Sequence, residues 1–120
     1  MKIGFTDKEV ELACNNYPDS ENDLQKLLKK TPITPDAVMS ALVDLRSADS
    51  PDDLPSLYHY HPLKYDLSGF AAIDVKAHGK GGRGVWRILL EPISECGDIN
   101  NKKSITKVVI RELVYDYHKN

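Results

Sequence analysis

Phe70-Ala71-Ala72-Ile73-Asp74-Val75-Lys76-Ala77 and Val85-Trp86-Arg87-Ile88-Leu89-Leu90-Glu91 are the two runs on which the fold class turns. In the first, Ala71, Ile73 and Val75 alternate with Asp74 and Lys76, the period of two that marks a half-buried strand. Between the runs, Gly79, Gly81, Gly82 and Gly84 break any regular element and predict a hairpin loop carrying His78, Lys80 and Arg83. The second run then reads as the return strand. The glycines lack the Lys-Ser/Thr tail of a phosphate-binding loop and join strand to strand, so they read as a turn.

Upstream the period changes to that of helices. Lys2 to Phe5 reads as a short strand. Thr6 and Glu9 have the spacing of a capping box, which predicts a helix to about Tyr17, stopped by Pro18. Ser20 opens a second helix with Leu24, Leu27 and Leu28 on one face. Thr34-Pro35 is a cap followed by a proline in the first turn, and Val38, Ala41, Leu42 and Leu45 form the apolar stripe of a third helix ending near Arg46. Residues 47–57 read as a connector with one turn at Ser50-Pro51. Downstream, residues 94–103 form a polar loop and Ile105 to Tyr117 a last strand. Helices first and strands later predict an α+β fold, with the N-terminal helices packed on an antiparallel β-sheet.

The chain has 120 residues, 41% of them hydrophobic, and a formal net charge of −2. That predicts one domain over 1–120 with a real core, and excludes intrinsic disorder. Residues 1–57 carry 6 basic against 11 acidic residues, and residues 58–120 carry 10 against 7, so an anionic partner is expected to meet the second half. Cys14 and Cys96 stand 82 positions apart with no Cys/His ligand spacing. They predict free thiols in a reducing compartment and no metal site. No stretch approaches the ~20 apolar residues of a membrane span, and the opening residues do not resemble a signal peptide, so a soluble cytoplasmic protein is expected.

Reactive side chains concentrate in the second half. His61-Pro62-Leu63-Lys64, then Gly69, then Trp86-Arg87-Ile88, then Asp116-Tyr117-His118 follow one another in order. Any one of these is also what a loop, a surface ion pair or a chain end looks like. Their order and spacing resemble the HigB branch of the RelE superfamily, toxins of bacterial type II toxin–antitoxin systems. Phe5-Thr6-Asp7-Lys8, Leu45 to Ser50 and Asp53-Leu54-Pro55 look like the same branch, so the resemblance spans nearly the whole chain. It implies helices on a curved antiparallel sheet, the RelE-like toxin fold. It further implies ribosome-dependent cleavage of messenger RNA, an antitoxin partner with a helix-turn-helix domain, and no cofactor. By the resemblance the catalytic residues are His61, Lys64, Arg87, Asp116, Tyr117 and His118. The sequence departs from the pattern at Tyr65, where the family often has glycine, and in its net negative charge.

The residue types suit such a reaction on their own account. Metal-independent RNA cleavage needs a base at the 2′-hydroxyl, an acid at the 5′-oxygen and cations around the phosphorane oxygens. Histidine moves protons near neutral pH. Arginine contacts phosphate bidentately and lysine as a point charge. Tyrosine orients phosphate or stacks on a splayed base, and aspartate sets a histidine tautomer or acts as base. The base is left open among His61, His118 and Asp116. Lys76, Lys80 and Arg83 are candidate RNA contacts. Two rival readings remain: a ParE-like toxin of the same fold that binds DNA gyrase, and a non-catalytic module that binds antitoxin or RNA.

Overall fold

The computed structural model describes residues 1–75 and 86–116, with only the backbone of Asp116. Strand β1 (Lys2–Phe5) leads into helices α1 (Lys8–Asn15), α2 (Glu21–Leu27) and α3 (Pro35–Ser47). Short 3-10 turns at Pro51–Asp53 and Ser56–Tyr58 connect to β2 (His61–Pro62), β3 (Ala71–Asp74), β4 (Trp86–Ser94) and β5 (Ile105–Asp116). The five strands form one sheet in the order β1-β5-β4-β3-β2. The architecture is α+β, as the element order predicted.

Two expectations need correction. The sheet is mixed: β2 to β5 are antiparallel neighbours, but β1 lies parallel to β5, with Ile3 opposite Val108 and Phe5 opposite Ile110. A strand followed at once by helices can pair in parallel with a later strand, because the intervening chain supplies the crossover. The cap of α1 is Asp7, whose carboxylate accepts from the backbone N–H groups of Glu9 (2.8 Å) and Val10 (3.4 Å). Thr6 is unavailable for capping. Its N–H and hydroxyl both donate to the Ile110 carbonyl, which extends the β1–β5 pairing by one residue.

The third helix forms as predicted. Thr34 Oγ1 accepts from Ala37 N–H at 3.2 Å, Pro35 opens the first turn, and Val38, Ala41, Leu42 and Leu45 are buried. Ser20 precedes α2 but does not cap it; its hydroxyl donates to the Ala13 carbonyl and ties α2 to α1. The helices deliver Ala13, Cys14, Leu24, Val38, Leu42 and Leu45 to a core completed from the sheet by Ile73, Val75, Ile88, Leu90, Ile105, Val108, Ile110 and Leu113.

Keeping the last four of these on one face requires β5 to break period. Along the β4–β5 ladder, Ser94 pairs with Ile105, Leu90 with Ile110, Leu89 with Glu112 and Arg87 with Tyr115. Three register shifts intervene, and at each β5 advances one residue further than β4. Such bulges bend the strand and increase its twist.

The cysteines differ in environment. Burial pushes the Cys14 thiol up to about 11, against a smaller opposing pull from Arg46. Cys96 is exposed in the connection between β4 and β5, and hydrogen bonds with Ser104 and Ser94 lower its pKa.

Two measurements check the packing. Leu42→Ala removes a fully buried side chain and is expected to cost about 3 kcal/mol in urea unfolding. Iodoacetamide at pH 8 is expected to label Cys96 in the native protein and Cys14 only after unfolding, read by mass spectrometry; rapid native labelling of Cys14 would contradict its burial.

Candidate functional site

The face of the sheet turned away from the helices carries the polar residues of β3 and β4. Cross-strand register sets two rows. His61, Ala72, Leu89 and Glu112 stand side by side across β2, β3, β4 and β5. Asp74, Arg87 and Tyr115 form the next row. Neighbouring strands lie about 4.8 Å apart, so each row is a contiguous set of side chains.

Over the first row, residues 61–67 fold back and enclose a groove of about 700 Å³. His61, Lys64, Tyr65 and Asp66 line it from this segment, and Leu89, Glu112 and Tyr115 line it from β4 and β5. The fold-back is held by the Leu63 N–H donating to the Phe70 carbonyl at 2.9 Å, and Gly69 turns it with φ of +96°. Two non-glycine residues take left-handed backbone here, His59 (φ +46°) just before the segment and Tyr65 (φ +59°) within it. Such conformations cost roughly 1 kcal/mol or more and collect at functional sites. The Tyr65 backbone is of the kind that favours glycine, and the residue is 92% exposed.

His61 Nδ1 lies 2.6 Å from the His59 carbonyl oxygen. A carbonyl only accepts, so Nδ1 carries the proton and Nε2 is the nitrogen that exchanges protons with a ligand. Arg87 Nε donates to Asp74 Oδ1 at 2.8 Å, and the two side chains keep only 17% and 12% of their surface. Desolvation makes each ion dependent on the other. The second oxygen, Asp74 Oδ2, meets His59 Nδ1 at 3.0 Å.

The structure therefore brings His61 and Lys64 into one groove and sets Arg87 on the same sheet face, in the adjoining row. Asp74, Glu112 and Tyr115 join them through β-sheet register, and His59 through its contact with Asp74; none of the four was among the predicted site residues. The charged residues lining the groove are Lys64, Asp66 and Glu112, so its described lining is not basic. Asp116 pairs with Trp86, next to Arg87 in the ladder. The Asp116 side chain, Tyr117, His118, Lys76, Lys80 and Arg83 lie outside what is described. Among the described residues, no group of three or more His, Cys, Asp or Glu side chains is placed to hold a metal ion, and no helix is long and apolar enough to cross a membrane.

Asp74→Ala is expected to destabilise the fold by about 3 kcal/mol, because it strands a largely buried guanidinium. Asp74→Asn, which keeps an acceptor, is expected to cost less. Equal urea midpoints for wild type and Asp74→Ala would show that the pair adds nothing to stability. No protein-family model matches the chain, and a search of the curated proteins finds no match.

Proposed function

We propose that this protein is the toxin of a type II toxin–antitoxin pair, a cytoplasmic, ribosome-dependent endoribonuclease acting on messenger RNA. The observation that carries the reading is the His61 imidazole, its Nδ1 proton held by the His59 carbonyl at 2.6 Å, beside Lys64 in the groove, with Arg87 on the same sheet face.

In the proposed reaction the 2′-hydroxyl proton passes to His61 Nε2 as O2′ bonds to phosphorus. The bond from phosphorus to O5′ breaks, O5′ takes up a proton from solvent water, protonated His61 gives its proton back to solvent, and a 2′,3′-cyclic phosphate remains. Lys64 and Arg87 offset the charge growing on the non-bridging oxygens. Arg87, oriented through its Nε by Asp74, is pre-set for this role at no cost during the reaction. Tyr115 and Glu112 flank the groove where a nucleotide would lie. Asp116, Tyr117 and His118 enter the proposal by resemblance. The partner is a helix-turn-helix antitoxin.

The groove's two carboxylates against one lysine favour, as a second reading, a module that binds without cutting. One induction experiment separates the readings, comparing incorporation of labelled leucine and thymidine. Early loss of leucine incorporation is expected. Early loss of thymidine incorporation would indicate a gyrase poison, and no effect would indicate the binding module. Primer extension should then map cuts that require ribosomes. His61→Ala, on a two-residue edge strand, is expected to fold normally and to cleave at least about a hundredfold more slowly. Undiminished cleavage by that variant would remove His61 from the mechanism.

A further inference from the structure

We propose that His59 is the positioning residue of this site. Its backbone carbonyl fixes the His61 tautomer, and its imidazole anchors that carbonyl to the carboxylate that also holds Arg87. The role in cleavage rests on the ribonuclease reading; the geometry does not.

The argument begins with the register. β2 and β3 run antiparallel with His61 opposite Ala72 and Pro62 opposite Ala71. Continuing that pairing two residues outward sets position 59 opposite Asp74. The backbone does not continue as a strand there. The 3-10 turn Ser56–Tyr58 ends with the His59 N–H donating to the Ser56 carbonyl at 3.1 Å, and His59 takes φ +46°, ψ +48°. The turn aims the His59 carbonyl at His61 Nδ1, and the side chain still reaches across to Asp74 at 3.0 Å.

A left-handed residue with an exposed side chain is where glycine is cheapest, and the His59 side chain is 70% exposed. Its imidazole contributes little to the core. Its bond to Asp74 ties the 56–61 turn to β3. Without it, the carbonyl that sets the His61 tautomer has only the local turn to hold it. One carboxylate thus orients both a phosphate-binding cation and, through His59, a proton-transferring imidazole. Partners of this kind fix which ring nitrogen carries the proton, and so which one meets a ligand.

The test is His59→Gly, which keeps the left-handed backbone and deletes only the imidazole. The wild-type protein should show the Nδ1–H form of neutral His61 by 15N chemical shifts. In His59→Gly the signal is expected to move toward the mixed tautomers of a free imidazole, with a melting temperature equal to or above wild type. Ribosome-dependent cleavage is expected to fall about tenfold or more, and His59→Gln, which offers Asp74 an amide donor, should recover part of it. A His61 tautomer unchanged in His59→Gly would overturn the proposal, as would wild-type cleavage by that variant. If the wild-type protein cut no RNA, the ribonuclease reading would fail, and the tautomer measurement alone would decide the positioning role of His59.

Discussion

A strand that must turn Ile105, Val108, Ile110 and Leu113 toward one core cannot remain regular, since the steps between them are three, two and three. β-strand side chains alternate strictly, so each odd step flips the face unless an extra residue is bulged out. β5 takes that course, and the rest of the sheet follows from it. Had the register at Leu90 and Ile110 continued unbroken, Leu89 would face Arg111 and Arg87 would face Leu113. The bulges instead set Glu112 opposite Leu89 and Tyr115 opposite Arg87, while Leu113 stays buried. The demand of the core on one face thereby selects the side chains on the other.

On that second face the organising group is the Asp74 carboxylate. A largely buried guanidinium is tolerable only with a partner in good geometry, and Asp74 supplies one at 2.8 Å. Carboxylates accept on both oxygens, and the second reaches His59. The consequence is mechanical as well as electrostatic: β3, β4 and the turn before β2 share one anchor. Groups held this way keep their orientation when a ligand arrives, the property that lets fixed charges stabilise a transition state cheaply.

Legibility in the sequence tracked how local each cause was. The faces of the helices, the Thr34-Pro35 start and the alternation of Ala71, Ile73 and Val75 are periodic or nearest-neighbour signals, and they could be read directly. The capping residue of α1 could not, because Thr6 is engaged by the Ile110 carbonyl, 104 positions away. Nor could the parallel pairing of β1, or a strand as short as His61–Pro62, which has no period to show. The bulges did leave a trace in the spacing of apolar residues along β5. In the site, His61, Lys64 and Arg87 stood out by residue type and order. Asp74 read only as the polar face of a strand, because a long connection between β3 and β4 does not fix register, and register alone makes it the partner of Arg87. Glu112 and Tyr115 were missed for the same reason, and His59 because its link to the site is a side-chain contact with Asp74 made from a turn outside the ladder.

The acidity of the groove bears on how the proposed chemistry would be controlled. Lys64 shares that lining with Asp66 and Glu112, so a free polyanion diffusing up to the described lining meets more repulsion than attraction within the Debye length of about 8 Å. An enzyme that had to capture RNA from solution would be poorly served. An enzyme whose substrate is already held by a large assembly would not, because the assembly supplies the positioning free energy, worth up to about 7–11 kcal/mol in well-oriented systems. Weak intrinsic attraction then acts as a selectivity device. On the proposed reading, dependence on the ribosome and the acidic groove are one property: fixed catalytic groups are kept accurate by Asp74, while Asp66 and Glu112 discourage RNA that arrives unpresented.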